Sequence, residues 1–241
     1  MILNIYIIIF IYFILGGISF YLIYRKKDKE TARRNRNKYI SYLIIIHLLF
    51  LSIVINPIVF HYLAIIIILV GLGEMIRLFI ISGYHSKGFF SLLLLIYFVF
   101  STGFICFSRM DYKLVLFTFL VIAVFDSFSQ ISGQILGKNK IFPGISPGKT
   151  IEGFIGGAII ATGSSYLLKS LIDFQGLNIL LLAAGIVVSA FIGDAVTSMY
   201  KRKYNVKDFS SLIPGHGGFL DRFDSLIAGA TFITLLDFFG I

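Results

Sequence analysis

The octapeptide PGISPGKT, residues 143–150, decides between two folds. Its end, Gly148-Lys149-Thr150, matches the close of the phosphate-cradling loop G-x-x-x-x-G-K-[ST], which follows a strand in a soluble α/β domain. Its start does not match. Four intervening residues would put the first glycine at Pro143, and the nearest one, Gly144, leaves only three. The stretch must be read from its surroundings, and these are apolar.

The 241-residue chain is 58% hydrophobic and 14% charged. A soluble domain is about 45–50% apolar and about 25% charged. This composition indicates a polytopic membrane protein and leaves no room for a sizeable soluble domain. The single cysteine, Cys106, cannot form an intrachain disulfide and says nothing about redox compartment. The apolar run 2–24 has its charges after it rather than before, so it reads as a retained helix and not a signal peptide.

Crossing a bilayer takes roughly 20 apolar residues per helix. The expected spans are 2–24, 39–56, 58–81, 89–108, 114–136, 153–172, 178–200 and 219–240. The fold class is therefore all-α, with about eight transmembrane helices. Pro57 in INPI (55–58) breaks the second span from the third, and a kinked or re-entrant segment there widens the range to seven to nine. Residues 1–60 form an N-terminal part with a basic loop, and 61–241 a catalytic transmembrane part.

The loop RKKDKETARRNRNK (25–38) holds eight Lys and Arg residues. If it is cytoplasmic, alternation puts 82–88, 137–152 and 201–218 on the same side, which with Arg77 and Arg222 at the adjoining helix ends collects 18 of the 21 Lys and Arg residues. Arg109, Lys113 and Lys169 remain opposite. The bland reading of 25–38 is a topogenic loop facing lipid. The net charge of +9 suits an anionic membrane surface or anionic substrates. No nucleic acid partner is expected.

The stretch 193–225, GDAVTSMYKRKYNVKDFSSLIPGHGGFLDRFDS, holds more than topology requires. Asp194 lies inside an apolar span, where a carboxylate is costly and functional by default. Ser198 follows at i+4, on the same helix face. Asp221 and Asp224 share a face of the next span at i+3. Each acid alone would read as a cap or a partner for a nearby arginine. Together, Asp194, Asp221 and Asp224 make an all-oxygen set that suits Mg²⁺. Lys201, Arg202, Lys203, Lys207 and Arg222 add the positive charge needed to hold a triphosphate and stabilise phosphoryl or nucleotidyl transfer. The turn PGHGG (214–218) lets backbone amides approach an anion closely.

These residues resemble the signature of the CTP:phosphatidate cytidylyltransferases (CDP-diacylglycerol synthases). The matching positions are Ser198, Lys201-Arg202, Lys207-Asp208, Ser210, Ile213-Pro214, His216-Gly217-Gly218, Asp221-Arg222 and Asp224. Tyr200 departs, standing where the family has an aliphatic residue or Phe. ISPGKTIEGFIGG (145–157) resembles a second motif, S-P-x-K-T-x-E-G, and reads as an anion-binding loop at a helix N-terminus with Ser146, Lys149 and Thr150 as substrate contacts. DSFSQISGQILGK (126–138) resembles a third, with departures at Ser127 or Ser129 and at Gln130. Glu74, at i+3 from Arg77, resembles an acidic position of the middle helices, or else is half of an intramembrane ion pair with Arg77.

The resemblance implies an integral membrane enzyme making CDP-diacylglycerol and pyrophosphate from CTP and phosphatidate. Asp194, Asp221 and Asp224 would bind Mg²⁺, with room for a second metal ion and Ser198 beside them. Lys149, Lys201, Arg202 and Arg222 would meet the triphosphate and lipid phosphate. His216 would hydrogen-bond the pyrophosphate or cap the Gly turn; Lys207 and Asp208 would pair and shape the loop. Asp126 and Glu152 would be outer members of the site. The implied location is a bacterial inner membrane with the site facing the cytoplasm, and the family admits a homodimer. Two rivals stand beside this reading. One is a CTP-dependent enzyme acting on another lipid, such as a polyprenol or phytol kinase. The other is an ion-coupled transporter, which would place its acids near the midplane on broken helices rather than at one boundary.

Overall fold

The computed structural model describes residues 6–7, 10–12, 14–18, 21, 29–172, 177–213 and 217–240. About half of the first expected span, 2–24, therefore lies outside the described residues. Seven α-helices follow: α1 (Lys29–Ile55), α2 (Pro57–Ile81), α3 (Lys87–Phe107), α4 (Tyr112–Leu136), α5 (Ile151–Ser165), α6 (Leu177–Lys203) and α7 (Leu220–Phe238). A 3₁₀ turn, Tyr166–Leu171, extends α5. Five segments, Pro57–Ile81, Lys87–Phe107, Tyr112–Leu136, Ile151–Leu171 and Asn178–Lys203, are long and apolar enough to cross a membrane. The chain is an all-α, multi-pass membrane protein.

Local chemistry sets the joints. The side chain of Asn56 accepts from the Ile58 amide and Pro57 opens α2, so the expected break falls there. Two stretches expected as loops are ordered differently. The basic segment is helical from Lys29 onward and continues into the apolar part of α1, because Lys, Arg, Glu and Ala are good helix formers. Between α4 and α5 the chain makes an antiparallel hairpin, β1 (Lys140–Phe142) with β2 (Ser146–Thr150). Pro143 and Gly144 sit at its turn, which the Ile145 amide closes onto the Phe142 carbonyl at 3.2 Å. PGISPGKT is thus a turn and a strand. Its last residue, Thr150, caps α5 by accepting from the Gly153 amide at 3.1 Å.

The core lies where α2, α3, α4, α6 and α7 meet, around Phe60, Phe104, Leu116, Phe117 and Ile186, all under 2% exposed. Small residues let the helices approach closely, as expected where lipid gives helices no reason to hide apolar surface from one another. A Cβ on Gly157 of α5 would lie 2.7 Å from the Ser129 Cβ and 2.8 and 2.9 Å from backbone atoms of Ser129 and Phe125 in α4. On α7, Thr231 donates to the Phe100 carbonyl at 2.9 Å and Thr234 to the Gly103 carbonyl at 2.8 Å, fastening α7 to α3.

Gly157→Val should therefore lower the thermal unfolding midpoint of the purified protein, by the equivalent of about 1–3 kcal/mol for overpacking a tight contact. Gly163, with no heavy atom within 4 Å of an added Cβ, is the control. Gly163→Ala should leave the midpoint unchanged or raise it.

Candidate active site

The C-terminal halves of α4 and α6, the N-terminal end of α7, the middle of α1 and strand β2 surround a cavity of about 1030 Å³. Among the described residues of the expected site, Gly218, Lys203 and Glu152 do not line it, and the others do. His216 lies outside the described residues.

Helix spacing delivers the charged groups. Asp194 Oδ2 pairs with Lys149 Nζ at 2.8 Å, and Asp194 Oδ1 accepts from Ser198 Oγ at 3.2 Å. The strand thus brings the lysine of the 143–150 stretch directly onto the acid of α6. Lys149 also stands 4.7 Å above the Phe191 ring, a cation–π contact that steadies its charge in an apolar wall. Lys201 Nζ is hydrogen-bonded to Asp221 Oδ1, joining α6 to α7. These are the ion pairs among the described residues; Lys207 and Asp208 do not form one, contrary to expectation.

Asp221 does more than pair. Its Oδ2 accepts from the amides of Phe209 and Gly218, both at 2.9 Å. Three of a carboxylate's roughly four acceptor sites are thus engaged. Gly218 contributes through this amide, and an added Cβ there would stand 2.7 Å from the Asp221 carboxylate. Gly217 adopts φ +86°, the left-handed region that favours glycine, with Asp208 packed against it.

Asp224 Oδ2 accepts from Thr197 Oγ1 at 2.5 Å and Oδ1 from the Ser225 amide at 2.9 Å. Asp126 of α4 is within electrostatic reach of Asp194, Asp224, Lys149 and Arg222. Three acids therefore crowd one end of the cavity, and Asp126 belongs to that group more closely than its expected outer position implied. Arg202 lines the cavity but spends its guanidinium on backbone: Nε donates to the Ile145 carbonyl at 2.8 Å and Nη1 to the Val206 carbonyl at 3.1 Å. It ties the hairpin turn to the end of α6. Glu152 accepts from the amides of Lys138 and Asn139 and from Asn139 Nδ2 at 2.7 Å, which clasps the hairpin base.

Among the described residues no three His, Cys, Asp or Glu side chains form a metal-holding group. The donor chemistry still fits Mg²⁺, which is usually held by one or two carboxylates plus substrate phosphates rather than by an all-protein cage. Asp194, with a side chain 35% exposed, is the open carboxylate. Asp224 stands within electrostatic reach of it. Asp221 retains about one free acceptor site.

Glu74 and Tyr42 take roles that the sequence reading did not assign. Glu74 makes no ion pair with Arg77; its buried carboxylate accepts from Ser210 Oγ, from the Phe219 amide at 2.8 Å and from the Leu220 amide at 2.7 Å. The clue was available: α7 starts at Phe219, whose side chain cannot cap, so an acceptor had to come from elsewhere. Tyr42 of α1 lines the cavity, donates to the Ala123 carbonyl and shares a hydrogen bond with Ser127 Oγ, both 3.1 Å. Ser127 thus faces α1, whereas Ser129 packs against Gly157. Tyr200 is 1% exposed and donates to the Met75 carbonyl at 2.7 Å, which an aliphatic residue could not do.

Comparison with known proteins identifies the family. A phosphatidate cytidylyltransferase of Staphylococcus haemolyticus is 47% identical over 116 residues, 47% of this chain and 44% of the relative. Those of Staphylococcus saprophyticus and Staphylococcus aureus are 44% and 41% identical over 115 residues, again 47% of this chain and 44% of each relative. The chain thus matches about half the length of these relatives. The model of the Cytidylyltransferase family matches residues 2–239, nearly the whole chain, and on that match the protein belongs to the Cytidylyltransferase family.

Proposed function

We propose that the protein transfers the cytidylyl group of CTP to phosphatidate, giving CDP-diacylglycerol and pyrophosphate. The observation that carries this is the character of this cavity. Its charged end is built from Lys149, Lys201, Arg222 and the facing aspartates. Its other wall is Tyr12, Ile45, Ile46, Leu120, Val124 and Leu168, contributed by the N-terminal segment, α1, α4 and the 3₁₀ turn. A substrate with a phosphate head and an apolar body matches both ends at once. The staphylococcal relatives, named phosphatidate cytidylyltransferase, support the same acceptor.

In this reading a lipid phosphate oxygen attacks the α-phosphorus of CTP, the bond from that phosphorus to the bridging oxygen of the β-phosphate breaks, and pyrophosphate leaves. No covalent enzyme intermediate is needed; alignment and charge neutralisation carry the reaction. Lys149 leaves Asp194 to meet phosphate, and Lys201 and Arg222 hold the remaining oxygens. Ser198 orients the Asp194 carboxylate, while Arg202 keeps the hairpin and the end of α6 in register. Asp194 and Asp224 would hold Mg²⁺ together with substrate oxygens, with Asp221 adding its remaining acceptor site; the ion would supply charge neutralisation between the phosphates. The apolar wall between α1 and α4 seats the acyl chains, with Tyr42 at the junction. The charged end faces the cytoplasm, because the basic start of α1 runs directly into Tyr39 and Tyr42, which line the same cavity.

The purified protein given phosphatidate and CTP labelled at the α- or the γ-phosphorus tests this directly. Label from the α-position alone should enter the lipid; label from the γ-position alone would mean a kinase. Lys149→Ala should lower kcat/KM by about tenfold to a hundredfold, the loss of about 1–3 kcal/mol for a charged hydrogen bond. Asp194→Asn should lower turnover by about two orders of magnitude or more. Topology is tested separately with cysteines at the exposed positions Lys140 and Leu212 in a protein lacking Cys106. Both should resist an impermeant thiol reagent applied to intact cells; labelling of either from outside would reverse the orientation.

A further inference from the structure

We propose that Glu74 is a positioning residue for the reaction inferred above, acting through the start of α7 rather than on substrate; this role rests on that reading of the site. Glu74 is 4% exposed and does not line the cavity. Its Oε1 accepts from Ser210 Oγ and from the Phe219 amide at 2.8 Å, and its Oε2 accepts from the Leu220 amide at 2.7 Å. The next residue is Asp221. Helix α7 thus begins buried, with an N-cap residue that supplies no side-chain acceptor, and its leading N–H groups are satisfied by a carboxylate from a helix 145 residues away in sequence.

The two buried carboxylates interleave. Asp221 holds residues 209 and 218, while Glu74 holds residues 210, 219 and 220. Each end of the Gly-rich segment is therefore gripped from both sides. The neighbouring position on α2 grips the other site helix: the Met75 carbonyl accepts from Tyr200 Oη at 2.7 Å, one residue before Lys201. Positions 74 and 75 of α2 therefore fix α6, which carries Asp194, Ser198 and Lys201, against α7, which carries Asp221, Arg222 and Asp224. A shift at that joint would move two halves of one site relative to each other. Misplacing reacting groups by about 1 Å costs about a hundredfold in rate.

The test uses the full-length purified protein and four variants: Glu74→Gln, Ser210→Ala, the two combined, and Tyr200→Phe. Glu74→Gln keeps length and polarity but sets an amide N–H₂ group against a donor. Two readouts are compared, amide hydrogen exchange of residues 209–221 and the split of kcat from KM for CTP. Positioning predicts faster exchange at 218–220 in Glu74→Gln, and kcat at least tenfold lower while KM for CTP moves less than threefold. Ser210→Ala should show a smaller loss of the same kind, and the double variant should lose less than the product of the single losses, because both changes remove one shared grip. If Glu74→Gln does not fold, Ser210→Ala alone must show the exchange change and the kcat loss. Unchanged exchange at 218–220, or faster exchange with wild-type kcat, overturns the proposal, as does a loss in KM alone. If the wild-type protein makes no CDP-lipid, the functional reading falls, while the exchange readout still decides whether Glu74 grips the start of α7.

Discussion

A helix that starts inside an apolar bundle must find acceptors for its leading N–H groups, and the site follows from how this chain meets that demand. Leu220 is 1% exposed and the Phe219 side chain offers no cap. Glu74 supplies them from α2, accepting from the Phe219 and Leu220 amides, while Asp221 of α7 accepts from the Phe209 and Gly218 amides just before the helix. Carboxylates are costly in such surroundings unless hydrogen-bonded on both oxygens, and here both are. Meeting the backbone demand also fixes the Gly-rich segment, and with it the faces on which Asp221 and Asp224 stand. Breaking either carboxylate would leave buried donors without partners, which costs about 1–3 kcal/mol each.

The same economy runs through the rest of the cavity. Lys149 rests on Asp194 and Phe191, and Lys201 rests on Asp221, so the cations that would meet phosphate are held in place without it. Asp126, Asp194 and Asp224 line the cavity together with Lys149, Lys201 and Arg222, so acids and cations share that end. Arg202 and Glu152 are spent on backbone, one on each side of the hairpin. The charges that look alike in sequence thus divide into those facing the cavity and those holding its walls.

Much of this was legible beforehand because it depends on local pattern. Apolar runs interrupted by Pro57 set the helices, and the i+3 and i+4 spacings of Asp194, Ser198, Asp221 and Asp224 placed them on shared faces of α6 and α7. The missing glycine at Pro143 correctly removed the soluble nucleotide-binding fold. What was not legible depends on partners distant in the chain. The hairpin of residues 140–150 appears only when its strands pair, and Thr150 becomes a helix cap because of it. Arg202 belongs to a cluster of cations and gives no sign in sequence that it bonds the Ile145 and Val206 carbonyls. Glu74 carries Arg77 at a spacing that suits a pair, yet the buried start of α7 is the stronger claimant. The helical start of α1 was hidden by its charge, which reads as a loop although its residues favour helix.

The central claim is that one cavity takes nucleotide phosphates at its charged end and the body of a lipid along α1 and α4. Phosphatidate with a photoactivatable group midway along an acyl chain tests it most directly. Irradiation of the purified protein should attach the lipid to residues among Ile45, Ile46, Leu120 and Val124, and Lys149→Ala should reduce that attachment. Attachment spread over the outward faces of α3 and α6, and unaffected by Lys149→Ala, would contradict a shared cavity.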